Sequence, residues 1–308
     1  MSGAQPGAER TGTTITLQAV ERWRDVRFRR VPWLRVRSEA EAVAFLDDVG
    51  LAFLFGEQGV AIPTLWWAVT GSSRPIPPHH DDPDLGRVWH WKDTLPERRE
   101  IYYGKLLRGK PTLVSLKLLP AVYALSPNYG DPMDYLDQYE AGLLSVEARS
   151  IYEVLMAEGP LATTHLRRKA GLAGSGAIAR RFDAALAELQ TQLKIVKVGT
   201  SDVSRWGYAY VYDLFTRHFC WVEQAARAIS TDAAMEQLLL THLFNVGIER
   251  EAACARLFRW EPWEWKRVIS RLIDRGMIET DLFVDAWPGP ALGHTRALEQ
   301  IRTEGESA

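Results

Sequence analysis

Between residues 143 and 215 the apolar positions recur first every three or four residues and then every second residue. Ser145 stands where an N-cap belongs, Ile151, Val154 and Leu155 share one face of the helix that follows, and Gly159-Pro160 ends it. TTHLRRKAGL predicts a short second helix closing at Gly171, and Gly174-Ser175-Gly176 turns the chain into IARRFDAALAELQTQ. In this third helix Ile178, Phe182, Ala185, Leu186 and Leu189 form one stripe, which leaves Arg180 and Arg181 on the other face near the N-terminus. LKIVKVG and WGYAYVYDLF alternate on either side of a turn at Thr200, Ser201 and Asp202, so they predict a hairpin with Arg205 and Trp206 near its tip. Three helices and a hairpin in that order predict a winged helix, whose third helix enters a DNA major groove from its N-terminal end. Winged helices also serve as protein-interaction modules, and a solvated face is the lesser alternative reading of the two arginines.

A second copy is predicted over 231–287. TDAAMEQLLLTHLFNVG and EREAACARLF supply two helices, and EPWEWKRVISRLIDRGMIETDLFVDAW supplies a third, with Pro262 in its first turn, Gly276 after its end and a strand beyond. Trp265, Val268, Ile269 and Leu272 form the buried stripe of that third helix. This copy carries seven Lys or Arg against ten Asp or Glu over 230–288, which suits a packing partner better than a DNA reader.

The first half is less regular. Ser38-Glu39-Ala40-Glu41 opens a helix predicted to run through Phe55, Pro63-Thr64 opens a short one over LWWAVTG, and PIPPHHDDPD is a loop. WHWKD reads as a strand, PERREIYYGKLLRGK as a helix, TLVSL as a strand and LLPAVYAL as a further helix. A third, degenerate helix-turn-helix unit fits this region. The fold class expected is therefore mainly α with small β-hairpin wings, in tandem winged-helix units. The predicted divisions are a basic arm or strand over 1–37, a mixed α/β portion over 38–142, winged helices over 143–229 and 230–290, and a polar tail over 291–308.

Net charge is −2, which by itself argues against a nucleic-acid partner, but the charges are segregated. Residues 1–37 hold eight Arg against three acids, and residues 85–120 hold eight Lys or Arg against three acids, whereas 38–84 carry eight acids and one Arg. Local positive potential governs phosphate contact, so double-stranded DNA remains the expected partner. The candidate contacts are Arg167, Arg168, Lys169, Arg180, Arg181 and Arg205 in the central unit, with Lys92, Lys105, Arg108 and Lys110 from the second basic segment. Trp23, Phe28 and Trp33, interleaved with arginines, suit either base stacking or a half-buried strand.

Other chemistry is sparse. Cys220 and Cys254 lie in apolar surroundings without CxxC spacing and are expected to be reduced core thiols of a cytoplasmic protein. His79-His80-Asp81-Asp82 has the ligand types for a cation but is explained as a polar loop, so neither metal nor cofactor is expected. No 20-residue apolar span occurs, and no phosphate loop, nucleophile elbow or dinucleotide fingerprint is present. Glu57 and Gln58 in the FGEQG turn are the catalytic candidates, with Trp66, Trp67, Trp89 and Trp91 available to line a pocket. Lys92-Asp93 reads as an amine nucleophile with its partner or, more commonly, as a surface ion pair.

DDVGLAFLFGEQGVAIPTLWWAVTG, WHWKDTLP with YYGK and PTLVSL after it, and the two winged-helix units together resemble the AlkZ-related proteins over roughly 35–290. These are relatives of the AlkZ-type DNA glycosylases, which excise damaged bases or unhook crosslinks and are built from tandem winged helices. The resemblance implies DNA binding, possession of a damaged-duplex site and a monomeric working state. It implies no catalytic residue, because the glycosylase triplet of Gln, an apolar residue and Gln or Asp is absent from 38–75, and Gln190-Thr191-Gln192 lies at the end of a recognition helix with a polar residue in its middle. Asp93 joins Glu57 and Gln58 only as a residue-level candidate. The alternative is a dimeric, non-enzymatic winged-helix regulator reading a palindromic operator.

Overall fold

The computed structural model describes residues 15–79, 81–201 and 208–306. Helix α1 (Leu17–Arg27) comes first. One order of elements then occurs three times. The first unit comprises α2 (Glu39–Val49), β1 (Leu51–Phe53), α3 (Leu65–Thr70), α4 (Pro83–Glu97), β2 (Ile101–Lys105) and β3 (Pro111–Ser115). Helices α5 (Leu119–Ala124) and α6 (Asp134–Glu140) connect it to the second, which comprises α7 (Val146–Glu158), β4 (Leu161–Ala162), α8 (Thr163–Lys169), α9 (Ala177–Thr191), β5 (Ile195–Ser201) and β6 (Ala209–Leu214). After α10 (Phe215–His218) and α11 (Val222–Ala226) the third follows as α12 (Thr231–Val246), β7 (Ile248–Arg250), α13 (Glu251–Phe258), α14 (Pro262–Asp274), β8 (Ile278–Leu282) and β9 (Ala291–His294), and α15 (Thr295–Glu306) closes the chain.

Each unit builds a three-stranded antiparallel sheet in which the last strand lies between the other two: β1-β3-β2, β4-β6-β5 and β7-β9-β8. The opening helix of each unit also uses the same punctuation. Ser38, Ser145 and Ser230 each accept a backbone N–H from three residues on, at 3.2 Å, and Gly50, Gly159 and Gly247 end those helices at φ of 75°, 83° and 72°. The serine satisfies an orphan donor, and the positive φ that stops the helix is open to glycine without strain. This repeated pair gives the opening helix of each unit the same start and stop.

Several sequence expectations require correction. The helix opened by Ser38 stops at Val49 rather than Phe55, because Gly50 diverts the chain into β1. WHWKD is helical: Asp82 caps α4 with Pro83 in its first turn, and Leu85, Val88, Trp91, Lys92 and Leu95 face inward at helical spacing. The helix expected over PERREIYYGKLLRGK is the β2–β3 hairpin, and Arg99, at φ 59°, lies between α4 and β2. The arginine-rich stretch expected as an arm or strand forms α1 and a short 3₁₀ turn, with Trp23 and Phe28 buried and Trp33 exposed. Residues 291–306 are no polar tail, since β9 is the central strand of the third sheet and Ala297, Leu298 and Ile301 are buried. Ile178 is exposed rather than part of the α9 stripe, and Cys220 is exposed whereas Cys254 is buried. Arg205 and Trp206 lie outside the described residues.

Ionic contacts lock the units together. Arg27 of α1 reaches Asp48 at 3.0 Å and the Asn245 amide oxygen at 2.9 Å, tying α2 to α12. Between the first two units, Lys92 of α4 and Lys197 of β5 both donate to the Asp93 carboxylate, and Lys92 also donates to the Tyr210 hydroxyl at 2.9 Å. Both amines are almost completely buried.

Candidate functional site

The loop between β1 and α3 carries Phe55-Gly56-Glu57-Gln58 over the floor of a cavity of about 630 Å³. A Cβ at Gly56 would stand 2.5 Å from the Trp67 ring, so glycine lets the loop descend onto that indole and brings Glu57 to the cavity wall. Trp66 is anchored by its indole N–H donating to the Arg74 carbonyl at 2.8 Å, with the Arg74 guanidinium 4.8 Å from its ring centroid. The opposite wall is supplied by α1 and the start of the third unit.

There Arg24 donates to the carbonyls of Val246 and Ile248 at 3.0 and 2.7 Å, and it pairs with Glu21 at 3.0 Å and Glu249 at 3.6 Å. Arg30 takes the other Glu21 oxygen at 2.7 Å and lies 5.6 Å from the Trp67 ring centroid. Burial works to raise the Glu21 pKa, but Arg24 and Arg30 outweigh it and hold the carboxyl below its usual range. The Trp287 ring, 5.4 Å from the Arg24 guanidinium carbon, completes this side.

Glu57 itself faces two cations of the β2–β3 hairpin, Lys110 at 3.3 Å and Arg108 at 3.8 Å. Its Oε2 is buried and has no hydrogen-bond partner among the described residues. A carboxylate held beside positive charge at an aromatic-walled cavity is equipped to face a developing cation, and a side-chain rotation that uncovers Oε2 would let it orient a water.

The structure brings Glu57, Gln58, Trp66 and Trp67 together at this cavity, as the sequence pattern anticipated, but not the other candidates. Trp91 is buried in the first unit's core, Trp89 packs edge-on against Phe55 at 5.5 Å, and Asp93 lies in the Lys92–Lys197 cluster. Lys92-Asp93 is thus a buried interlock rather than a surface pair. Lys92, with 0 % exposure, is withdrawn from the DNA-contact set. Arg24, Glu21, Glu249 and Trp287 had no local signal, because the cavity joins segments more than 220 positions apart in sequence.

The remaining basic candidates fall into two groups. Lys105, Arg108 and Lys110 belong to the first hairpin, which is docked on the end of α9: Thr191 donates its hydroxyl to the Lys105 carbonyl at 2.9 Å, and the Lys105 N–H meets the Gln190 side-chain oxygen at 3.3 Å. Gln190 is buried in this role. The second group lies on α8 and at the far end of α9, about 16 Å away along the helix at 1.5 Å per residue. In it Arg168 and Arg180 are exposed, Arg181 pairs with Glu147, and Lys169 reaches Glu158 at 2.5 Å. Arg167 is half-buried, paired with Asp183 at 3.1 Å and stacked over Phe182, so its first role is structural. In the His79–Asp84 loop, Asp82 caps α4 and pairs with Arg74 at 2.7 Å, while His80 lies outside the described residues.

The arrangement defines a class of fold shared with a solved structure, Streptomyces sahachiroi DNA glycosylase AlkZ: the two superpose with a TM-score of 0.54 at 15% identity, over 94% of this chain and 72% of that one. No curated protein matches the chain by sequence. The family profile described as AlkZ related matches residues 36–259, and the chain belongs to that family.

Proposed function

We propose that this is a tandem winged-helix DNA-binding protein acting in the repair of damaged bases, and that the cavity beside Glu57 receives a nucleotide turned out of the duplex. The observation that carries the reading is the meeting, at one cavity, of the Glu57 carboxylate, itself paired with Lys110 and Arg108 of the neighbouring hairpin, with the Trp67 indole and the Arg24–Glu21–Arg30 wall. Three units of identical strand order, membership of the AlkZ-related family and a fold shared with a DNA glycosylase support it. In this reading the extruded base stacks on the partly exposed Trp67 indole. The bond from C1′ to the base breaks with its electron pair leaving on the base, and Glu57 takes a proton from the water that adds to C1′. Lys105, Arg108, Lys110, Arg168, Arg180 and Arg181 hold phosphates on either side.

The third unit serves as a packing partner. Its helix α14 has Arg267 and Arg271 directed to Asp232 and Arg271 and Arg275 directed to Glu236, so these cations are already committed within the unit. The test is base release from duplexes carrying bulky alkylated purines or an interstrand crosslink, compared with undamaged duplex. Abasic sites formed on damaged DNA and lost in Glu57→Gln support the reading. Salt-sensitive binding to both duplexes without base release replaces it with a non-enzymatic DNA-binding protein, and a dimer on a palindromic site identifies the regulator.

A further inference from the structure

A second cavity, of about 540 Å³, lies on the other side of the hairpin turn where the three units converge. The first unit contributes Leu107 and Val114, the second Leu193, and the third Met235, Leu238 and Phe258. Its size falls in the range typical of small-molecule sites, and its walls are apolar as such sites usually are. The Phe258 and Trp260 rings are stacked at 4.7 Å and 19°, which presents a flat aromatic slab beside it.

Three of the four hydroxyls that line it, all but that of Thr231, are already used. Thr112 donates to the Lys110 carbonyl at 2.8 Å and accepts the Leu107 N–H at 3.2 Å, Thr191 donates to the Lys105 carbonyl, and Ser126 donates to the Tyr123 carbonyl at 2.7 Å. A sugar or other polyhydroxylated ligand would therefore find little to replace its hydration. The charged groups of the lining are Glu261 and Glu264 against Arg259. The two carboxylates form a reciprocal capping box at the start of α14 and have no ion-pair partner among the described residues. This balance disfavours an anion and complements a cation.

We propose that this junction cavity binds a small, flat aromatic cation: an apolar ring system that lies along the Phe258–Trp260 slab and directs a basic nitrogen to Glu261 and Glu264. The site is separate from the Glu57 cavity, and it does not depend on DNA repair. Leu107 stands directly before Arg108, so an occupant rests on the turn from which Arg108 and Lys110 reach Glu57.

The experiment titrates the full chain with 9-aminoacridine as the planar cation, following anisotropy and thermal midpoint, with neutral N-phenyl-1-naphthylamine and anionic 1-anilinonaphthalene-8-sulfonate alongside. Saturable one-to-one binding of 9-aminoacridine that raises the midpoint is expected. Met235→Trp, which fills the cavity, should weaken it by about tenfold or more. Glu264→Gln, which keeps the capping box, should weaken the cation several-fold and leave the neutral probe unchanged. If Met235→Trp fails to fold, Leu107→Trp on the turn asks the same question. Absence of saturable binding, binding equal in the filled and unfilled proteins, or a preference for the anionic probe overturns the proposal.

Discussion

The Glu57 carboxylate lies 3.3 Å from the Lys110 ammonium, so the acid at the cavity and a cation of the neighbouring hairpin hold each other. Replacing Glu57 by Gln removes the acid while leaving its shape. In the proposed reaction base release falls by about a hundredfold or more, the scale of losing one well-placed electrostatic group. Duplex affinity moves the other way, because Lys110 and Arg108 are released to phosphates, and the log-log salt dependence steepens by roughly one for each cation recruited. Single-turnover base release and anisotropy titrations across a salt series check both halves. Weaker binding in the variant contradicts the assignment of those cations to DNA.

Arg180 and Arg181 stand near the N-terminus of α9, both exposed, with Glu147 as the partner of Arg181. Changing both to Ala is expected to lower duplex affinity for damaged and undamaged DNA alike and to flatten the salt slope by roughly one to two. The thermal midpoint stays essentially where it was, because neither residue contributes to the core. Unchanged affinity in a folded double variant moves the interface to the hairpin group alone.

Arg24 is 6 % exposed and joins α1 to the third unit through two backbone carbonyls and Glu249. Arg24→Met leaves the buried Glu249 carboxylate without its counter-charge and two carbonyls without their donor, which costs about 3–5 kcal/mol by the usual penalty for breaking a buried pair. Urea unfolding measures the loss. Adding Glu249→Gln to that variant restores part of it, since the orphaned charge is then gone.

Burial outweighs the attraction of Asp93 and pushes the Lys197 amine down to about 8. The unfolded chain, with an ordinary lysine, binds more protons between pH 8 and about 10.4, so this site makes stability rise with pH across that window. The rise is at most about 3 kcal/mol at 1.36 kcal/mol per pKa unit. Below pH 8 the penalty of the buried charge is present in full. Lys197→Met leaves the Lys92–Asp93 pair, 2.6 Å apart, and is expected to flatten the profile. Some slope of the same sign remains from Lys194, whose pKa burial also lowers. Urea unfolding at about pH 7 and about pH 9.5 decides it, and an unaltered slope in the variant places the effect elsewhere.

Local physics made much of the central unit legible. Ser145, Gly159 and the spacing of Phe182, Ala185, Leu186 and Leu189 act within one or two turns of chain, and the alternation in β5 and β6 acts across one hairpin. WHWKD misled because Trp89 and Trp91 alternate like strand residues, while the stripe from Leu85 to Leu95 and the cap at Asp82 favour a helix over a longer window. Residues 101–105 misled for the opposite reason: PERRE continues a helical pattern, but the helix ends at Glu97, Arg99 turns at φ 59°, and β3 supplies the hydrogen bonds that make the next segment a strand.

By itself the sequence determined where α7 and α14 open and close, most of the apolar stripe of α9, and that FGEQG would stand in a turn near Trp66 and Trp67. These follow from capping, periodicity and backbone conformational preference, which depend on near neighbours. The tertiary structure alone decided which charges remain available. Arg24, Arg27, Arg29, Arg30 and Arg35 read as a DNA-binding run, yet they are paired with Glu21, Asp25, Asp48, Asp84 and Glu249. Lys92 likewise reads as a surface cation and is sealed between two units. A charge run states how many cations a segment has, but burial and the distant carboxylates brought to it by folding decide whether they meet a phosphate, a cavity or one another.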